Sequence, residues 1–222
     1  MPFAALAQSP LRTRPPGFGG LHRPRFGAFS EAPRAVVLRR TDRRPAAKPI
    51  QIMAKALELQ LKVGDPAPAF SAPIQTGETV SLAGLRGKPV ALYFYPKDDT
   101  PGCTTEACSF RDGWSALKKA GVVVLGVSTD PVKSHTKFAE KFKLPFPLLA
   151  DEERKIVTAY GVWGEKVFMG RKYQGTHRVT FLIGGNGRIA TIWPKVKPEG
   201  HAEEVLAAAK ELARKSGDAA AA

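Results

Sequence analysis

Two continuous apolar runs constrain the fold of this chain more than any other feature of its sequence. Residues 89–95 read Pro-Val-Ala-Leu-Tyr-Phe-Tyr, and residues 122–128 read Val-Val-Val-Leu-Gly-Val-Ser. A run with apolar side chains at consecutive positions is typical of a strand that is covered on both faces of its sheet. The two runs therefore predict two buried strands, with other elements packed above and below them.

Helical spacing of apolar residues predicts four helices, over residues 104–120, 131–142, 152–160 and 199–215. The first of these is followed by Gly121, a common residue type after a helix end. The second opens with Asp130 and Pro131, a favourable N-cap and first-turn pair. A β-hairpin is predicted for residues 178–183 and 188–193, which flank a Gly-Gly-Asn-Gly turn.

This order of elements predicts one α/β domain over residues 61–215. A strand–helix–strand–helix series that ends in a hairpin and a helix implies a mixed central sheet with helices on both faces. The composition, 43% hydrophobic and 24% charged, is that of a globular protein. No apolar stretch is long enough for a transmembrane helix, which needs about 18 residues or more. Residues 216–222 are predicted to be a disordered tail.

The formal net charge of +14 is concentrated near the N-terminus. Residues 1–53 carry nine Arg and one Lys against Glu31 and Asp42, and Pro and Gly interrupt every regular pattern there. Such a segment cannot bury enough apolar surface to offset the entropy lost on ordering. We therefore predict that residues 1–53 form a disordered basic leader.

The sequence leaves three interpretations of this leader open. An Arg-rich, acid-poor N-terminus is typical of a transit peptide for the chloroplast or mitochondrion, although hydroxyl residues are few. The segment can equally be an extension that is absent from the native protein, which would then start at Met53 and be cytoplasmic. A nucleic-acid-binding arm is the third interpretation. Its aromatic residues are sparse, so we expect no specific nucleic-acid partner.

Both cysteines lie where the first apolar run meets the first helix, in the segment Pro96-Lys-Asp-Asp-Thr-Pro-Gly-Cys-Thr-Thr-Glu-Ala-Cys108. Thr100 suits the N-cap and Pro101 the first helical position, which places Cys103 among unpaired backbone N–H donors. Such donors favour a thiolate, the nucleophilic form of cysteine. Lowering a thiol pKa by two units takes about 2.7 kcal/mol. A helix end supplies only ~0.3–1 kcal/mol, occasionally ~2, so a nearby cation is also required.

Cys103 continues the apolar face of its predicted helix, whereas Cys108 does not. Five residues further on, Cys108 is rotated by roughly 140° and displaced by ~7.5 Å along the axis. This displacement exceeds the Cα separation of about 7 Å that a disulfide tolerates. The two can be joined only if the first helical turns unwind. Two unrelated cysteines, one buried and one exposed, remain the alternative. The spacing excludes a thioredoxin-type Cys-x-x-Cys motif, and the four scattered histidines indicate no metal site.

The cysteine segment resembles the active site of the peroxiredoxins. Pro96-x-x-x-Thr100-x-x-Cys103 matches their PxxxTxxC signature. Thr-Pro-Gly-Cys-Thr-x-x-Ala-Cys is similar to the bacterioferritin-comigratory-protein or peroxiredoxin Q subfamily. The similarity spans residues 61–215 and includes five further blocks in the same order, at residues 63–70, 93–96, 110–112, 161–166 and 177–183.

The resemblance implies a thioredoxin-like fold and an antioxidant peroxidase that uses no metal, flavin or haem. Cys103 is implied to be the peroxidatic nucleophile, which attacks the O–O bond and becomes a sulfenic acid. Cys108 is implied to be the resolving residue, which condenses with Cys103 to an intrachain disulfide. Thioredoxin or a thioredoxin-like protein would then reduce this disulfide. Members of this subfamily are often monomers, so we expect a monomer.

The resemblance also implies roles for Thr100, Arg178 and Pro96. The Thr100 hydroxyl would hydrogen-bond the thiolate and the peroxide, and Pro96 would shape and shield the pocket. Arg178 would supply the missing cation and stabilise charge on the leaving oxygen. Arg178 also stands out without the resemblance, because an arginine in an apolar strand requires an anion. A simple strand-edge arginine is the alternative.

A different class of function uses the same two cysteines. Unwinding of the first helix would expose apolar residues, so a redox sensor or holdase-type binding protein is also possible. Such a protein would consume peroxide slowly and without turnover, whereas a peroxidase turns over with thioredoxin.

Overall fold

The structure, a computed structural model, describes residues 59–220 of the chain. The predicted basic leader, residues 1–53, and residues 221–222 of the predicted tail lie outside the described residues.

Strands and helices alternate through most of residues 59–220. The strands are β1 (Ser71–Pro73), β2 (Thr79–Ser81), β3 (Val90–Phe94), β4 (Val123–Ser128), β5 (Leu148–Ala150), β6 (Trp163–Phe168), β7 (Arg171–Thr176), β8 (Val179–Ile183) and β9 (Ile189–Trp193). The α-helices are α1 (Pro101–Asp112), α2 (Trp114–Lys119), α3 (Val132–Phe142), α4 (Lys155–Ala159) and α5 (His201–Ala220). None of these helices is long and apolar enough to cross a bilayer.

Five strands form the central sheet, in the order β5-β4-β3-β8-β9. β3 pairs in parallel with β4, and β4 with β5, whereas β8 runs antiparallel to both β3 and β9. Every residue of β3 and of β8 is buried. The predicted mixed central sheet is therefore confirmed, and the two apolar runs are its adjacent strands β3 and β4.

The two faces of β3 lie in two separate apolar clusters. Tyr93 and Tyr95 lie in one cluster, to which α1, α2, α3 and α5 contribute. Leu92 and Phe94 lie in the other, which α4 and the β1–β2 hairpin cover. This division follows from the alternation of side chains along a strand. Helices cover both faces of the sheet, as predicted.

The predicted helix over residues 104–120 is in fact two helices that meet at Gly113. A Cβ atom at this position would lie 3.0 Å from the Cβ of Ala202 in α5. The close approach of α5 therefore favours glycine here, and glycine also weakens a helix interior.

Other predicted helix boundaries also differ from the structure; α4, for example, begins at Lys155 and not at residue 152. Asp130 does not cap α3, because the N-cap residue of this helix is Pro131. The Asp130 carboxylate instead accepts hydrogen bonds from the Ser128 hydroxyl and from the backbone N–H of Asp98. α5 continues to Ala220, so the first five residues of the predicted tail are helical. This C-terminal segment contains no proline and ends in alanines, which are the best helix formers.

The hairpin formed by β6 and β7 was not predicted, and neither was the β1–β2 hairpin. The turn of the β6–β7 hairpin is made by Met169 (φ 48°) and Gly170 (φ 76°), both in the left-handed region. Val167, Met169 and Tyr173 on this hairpin are exposed. The hairpin lies between α4 and β8 in the chain, so its second strand ends two residues before Arg178.

Candidate active site

The loop from β3 to α1 sets the position of Cys103. Thr100 is extended (φ −94°, ψ 150°) and directly precedes the helix, and Pro101 is its first residue. Cys103 is therefore the third helical residue, within the first turn. The Thr100 hydroxyl does not cap this helix; it donates a hydrogen bond to the carbonyl oxygen of Lys97 at 3.0 Å. A threonine hydroxyl often closes a short turn of its own chain in this way.

Cys103 is buried, with 1% of its surface exposed. The Nη2 atom of Arg178 donates a hydrogen bond to its Sγ atom at 3.2 Å. Arg178 lies directly before β8, the strand that pairs with β3. The site thus joins the first turn of α1 to the start of the neighbouring strand. Pro96, which follows β3 closely, is half-buried.

Glu106 completes this group, and the sequence interpretation did not single it out. Its side chain is fully buried, and its Oε2 atom accepts a hydrogen bond from Nη1 of Arg178. Its Oε1 atom has no hydrogen-bond partner in the part of the chain that the structure describes. A signal was available, because Glu106 lies one helical turn after Cys103 on the apolar face of α1.

The electrostatics of this pair follow from burial. Burial raises the pKa of Glu106 from 4.5 to about 7, although Arg178 acts in the opposite direction. Burial disfavours the charge of Arg178, but Glu106 and Cys103 together outweigh it and raise the Arg178 pKa above its ordinary value. Arg178 therefore stays cationic between two groups that can each carry a negative charge.

Lys166 of β6 is a second cation at this site that the sequence interpretation did not single out. Its Nζ atom donates to the carbonyl oxygen of Thr176 at 2.9 Å. Burial lowers its pKa, and Arg178 lowers it further, whereas Cys103 acts in the opposite direction. Lys166 thus interacts electrostatically with both members of the Cys103–Arg178 pair.

Tyr93 lies in the apolar cluster that contains Cys103. Its ring stacks on Phe110 of α1 at 4.7 Å and on Tyr95 at 5.4 Å between centroids. Burial, followed by Glu106, raises its pKa well above 10.0. A Cβ atom at Gly126 would lie 2.7 Å from the Tyr93 hydroxyl oxygen, so this packing requires glycine in β4.

Cys108 lies on the same helix but in a different environment. It is partly exposed in a groove of about 650 Å³ between α1 and the start of α5, which is also lined by Thr104, Ser109 and Glu203. Both cysteines are free thiols. Because α1 is unbroken from Pro101 to Asp112, the unwinding required for a bond between them would have to start from this intact helix.

A buried cysteine in the first turn of a helix, in contact with an arginine that directly precedes β8, forms a candidate thiol-based redox site beside the central sheet. The family model described as "AhpC/TSA family" matches residues 63–192. The chain therefore belongs to the AhpC/TSA family, and it is a peroxiredoxin, which is a thiol peroxidase.

Relatives within the family support this assignment over the whole domain. The chain is 55% identical over 148 residues to the putative peroxiredoxin bcp of Coxiella burnetii, which covers 67% of this chain and 98% of the relative. It is 50% identical over 153 residues to peroxiredoxin Bcp of Escherichia coli K12, which covers 69% of this chain and 98% of the relative.

A solved structure also matches. The bacterioferritin comigratory protein of Xanthomonas campestris, studied for its alkyl peroxide reduction activity, is 39% identical, with a TM-score of 0.64. The match covers 70% of this chain and 99% of that chain. The thioredoxin-like fold and the bacterioferritin-comigratory-protein resemblance predicted from the sequence are confirmed.

Proposed function

We propose that this protein reduces hydrogen peroxide and organic hydroperoxides to water and alcohols, with Cys103 as the peroxidatic nucleophile. The observation that carries the proposal is the 3.2 Å contact between Arg178 Nη2 and Cys103 Sγ at the start of α1. The thiolate attacks one peroxide oxygen and the O–O bond breaks. The sulfur keeps that oxygen as a sulfenic acid, and the other oxygen leaves, takes up a proton and becomes water or alcohol.

The second step involves Cys108. Its thiol attacks the sulfenic sulfur, an S–S bond forms, and the sulfenic oxygen leaves as water. A dithiol reductant of the thioredoxin type then exchanges with this disulfide, is itself oxidised and restores both thiols. The burial of the two thiols in the intact helix supports this order, because Cys103 is buried whereas Cys108 is partly exposed in its groove.

Three residues would assist at the sulfur. Arg178 would hold the thiolate and stabilise the leaving oxygen, since a guanidinium presents several donors in fixed geometry. The Thr100 hydroxyl, whose hydrogen is donated to Lys97, would accept a hydrogen bond from the peroxide through its free lone pairs. Pro96, half-buried beside the loop, would shield the pocket from water.

Two observations support organic hydroperoxides as substrates of this protein. The Xanthomonas campestris protein is described by its alkyl peroxide reduction activity, and Cys103 here lies within an apolar cluster.

The test is a comparison of Cys103→Ser and Cys108→Ser with the wild-type chain. Peroxide consumption is followed with thioredoxin, thioredoxin reductase and NADPH, and then in a single turnover without reductant. We expect Cys103→Ser to lose both activities, because a serine hydroxyl is not ionised at neutral pH. Turnover of Cys103→Ser above a few per cent would remove Cys103 from the central role.

The compartment and the assembly are separate proposals. We propose a monomer in the cytoplasm if the native protein starts at Met53, and in an organelle if a leader is removed. N-terminal sequencing of the native protein and its mass in solution test the two points.

A further inference from the structure

A second buried polar cluster involves the loop of residues 96–100, which carries Thr100. The cluster consists of Asp98 in this loop, Tyr95, which directly precedes the loop, and His135 on α3. The Tyr95 hydroxyl donates to Asp98 Oδ1 at 2.7 Å, and His135 Nδ1 lies 2.8 Å from Asp98 Oδ2. His135 Nε2 lies 3.1 Å from the carbonyl oxygen of Leu149 in β5. The His135 side chain is fully buried, and Asp98 is 7% exposed.

The hydrogen-bond partners of His135 determine which of its ring nitrogens carry a hydrogen. The Leu149 carbonyl can only accept, so Nε2 carries a hydrogen and donates it. The bond from Nδ1 to the Asp98 carboxylate holds one further hydrogen between the two groups. Every polar atom of the three side chains then has a partner. A buried cluster with all its hydrogen bonds satisfied has one geometry, because any shift would leave a buried polar atom unpaired.

This cluster ties the loop to elements that are separate from α1. His135 connects Asp98 to α3, and through Leu149 to β5. The backbone N–H of Asp98 donates at 2.9 Å to Oδ2 of Asp130, which lies two residues after the end of β4. The loop is thus attached to the α3 side of the molecule two residues before Thr100. Unwinding of the first turns of α1 breaks none of these bonds.

We propose that His135 is a positioning residue for peroxide reduction. Through Asp98 it fixes the loop of residues 96–100, and with it Thr100 and the start of α1, in both the dithiol and the disulfide form. The unwinding that joins Cys103 to Cys108 therefore stops at Thr100, and Cys103 returns to the same place after reduction. This inference rests on the proposed roles of Cys103 and Cys108.

A surface ion pair joins the same loop to the same helix and provides a matched control. Lys141 Nζ lies 2.6 Å from Asp99 Oδ2, with both side chains about half exposed. Water competes for such a surface pair and weakens it. Lys141→Met should therefore leave the rate of peroxide reduction within about twofold of wild type. His135→Leu, which keeps the volume but removes both hydrogen bonds, should slow the rate per folded molecule about 10-fold or more, because misplaced groups at a reacting centre cost rate steeply.

Asp98→Asn separates geometry from stability. An amide can accept from Tyr95 and donate to Nδ1 of a neutral His135, so it restores every hydrogen bond without the charge. We expect Asp98→Asn to react within about threefold of wild type even where its melting temperature falls. A loss of rate in Asp98→Asn equal to that of His135→Leu would overturn the proposal, as would a folded His135→Leu that reacts at the wild-type rate.

The deciding experiment uses the wild-type protein, so it does not depend on the folding of any variant. Amide hydrogen exchange is measured by NMR in the dithiol form and in the Cys103–Cys108 disulfide form. The Asp98 amide should keep its protection in both forms, whereas the amides of residues 104–109 should lose theirs on oxidation. Equal loss at Asp98, whose amide donates to Asp130 Oδ2, would show that oxidation releases the loop and would overturn the proposal. Failure of peroxide to produce the disulfide at all would instead contradict the proposed function.

Discussion

The guanidinium of Arg178 donates a hydrogen bond from Nη2 to Cys103 Sγ at 3.2 Å, across 75 residues of sequence. Its other terminal nitrogen, Nη1, donates to the buried carboxylate of Glu106. One cation therefore serves two buried acidic groups on the same helix. The charge of Glu106 determines how much of the Arg178 charge is already neutralised. It therefore determines how strongly Arg178 acts on the sulfur of Cys103.

Arg178→Met should slow peroxide reduction, because it removes the cation that donates a hydrogen bond to Cys103 Sγ. Loss of one donor to a developing negative charge costs about 10²–10³ in rate. Thiolate is followed by its ultraviolet absorbance, and the peroxide rate is also measured at a pH where both proteins are fully ionised. Arg171→Met, on the exposed strand β7, is the control. Full recovery of the mutant rate at high pH would restrict Arg178 to holding the thiolate.

The same substitution leaves Glu106 buried without its partner, so it should be combined with Glu106→Gln. We expect the double variant to be more stable than Arg178→Met at neutral pH. Without Arg178 the buried Glu106 must take up a proton that it has lost in the unfolded chain, whereas glutamine has no such cost. Chemical denaturation of both variants measures the difference. Equal stability of the two would mean that Glu106 is not held by Arg178.

Glu106→Gln alone should change how stability depends on pH. The pKa of Glu106 is about 7 in the folded chain, against an ordinary value of 4.5. The folded state therefore holds this proton more tightly, so the free energy of unfolding falls as pH rises from 4.5 through 7. The full effect is about 3 kcal/mol.

Urea denaturation at about pH 5 and about pH 8 tests this prediction. Glu106→Gln has no proton to lose at this position, so it should gain stability relative to wild type between the two conditions. The exposed Glu203→Gln is the control, and we expect a constant difference from wild type. A constant difference for Glu106→Gln as well would contradict the buried titration.

Cys108→Ser should react once with peroxide and then stop as a sulfenic acid on Cys103. Without a resolving thiol, further peroxide should oxidise that sulfur to the sulfinic acid. Mass spectrometry of the intact chain detects each added oxygen. Sustained turnover with thioredoxin would show that Cys108 is not required for resolution.

Gly126→Ala should destabilise the fold without a direct effect on the site. The new Cβ would lie 2.7 Å from both the Tyr93 hydroxyl and Leu148 Cδ2. Overpacking of this kind costs about 1–3 kcal/mol. Gly84→Ala, where the nearest side-chain atom is 3.5 Å away, is the control. Similar melting temperatures for the two variants would contradict the packing described for Tyr93.

Local features of the fold could be predicted because they depend on neighbouring residues. The apolar runs predicted β3 and β4, and the Thr-Pro pair placed Cys103 in the first turn of α1. The β6–β7 hairpin could not be predicted, because its strands lie mostly exposed and carry no regular apolar alternation. The break at Gly113 depends on the approach of α5, which spacing within one helix does not reveal.

In the candidate site, too, the features that depend on neighbouring residues could be predicted and the long-range contacts could not. The PxxxTxxC spacing pointed to Cys103, and an arginine in an apolar strand pointed to Arg178. Glu106 lies on the apolar face of α1 and could have been recognised as a buried acid in need of a cation. Lys166 and the Asp98–His135 pair could not, because their partners are far away in sequence and become neighbours only in the folded sheet.

The shortness of α1 has a consequence for the speed of the catalytic cycle. This helix has 12 residues, and helices of about this size form and melt within ~0.1–1 μs. A typical enzyme turns over ~1–10³ times per second. Opening and re-forming one short helix therefore fits many times into a single cycle. If α1 opens and re-forms as fast as a free helix of this length, its folding does not limit how soon Cys103 becomes available again in the proposed cycle.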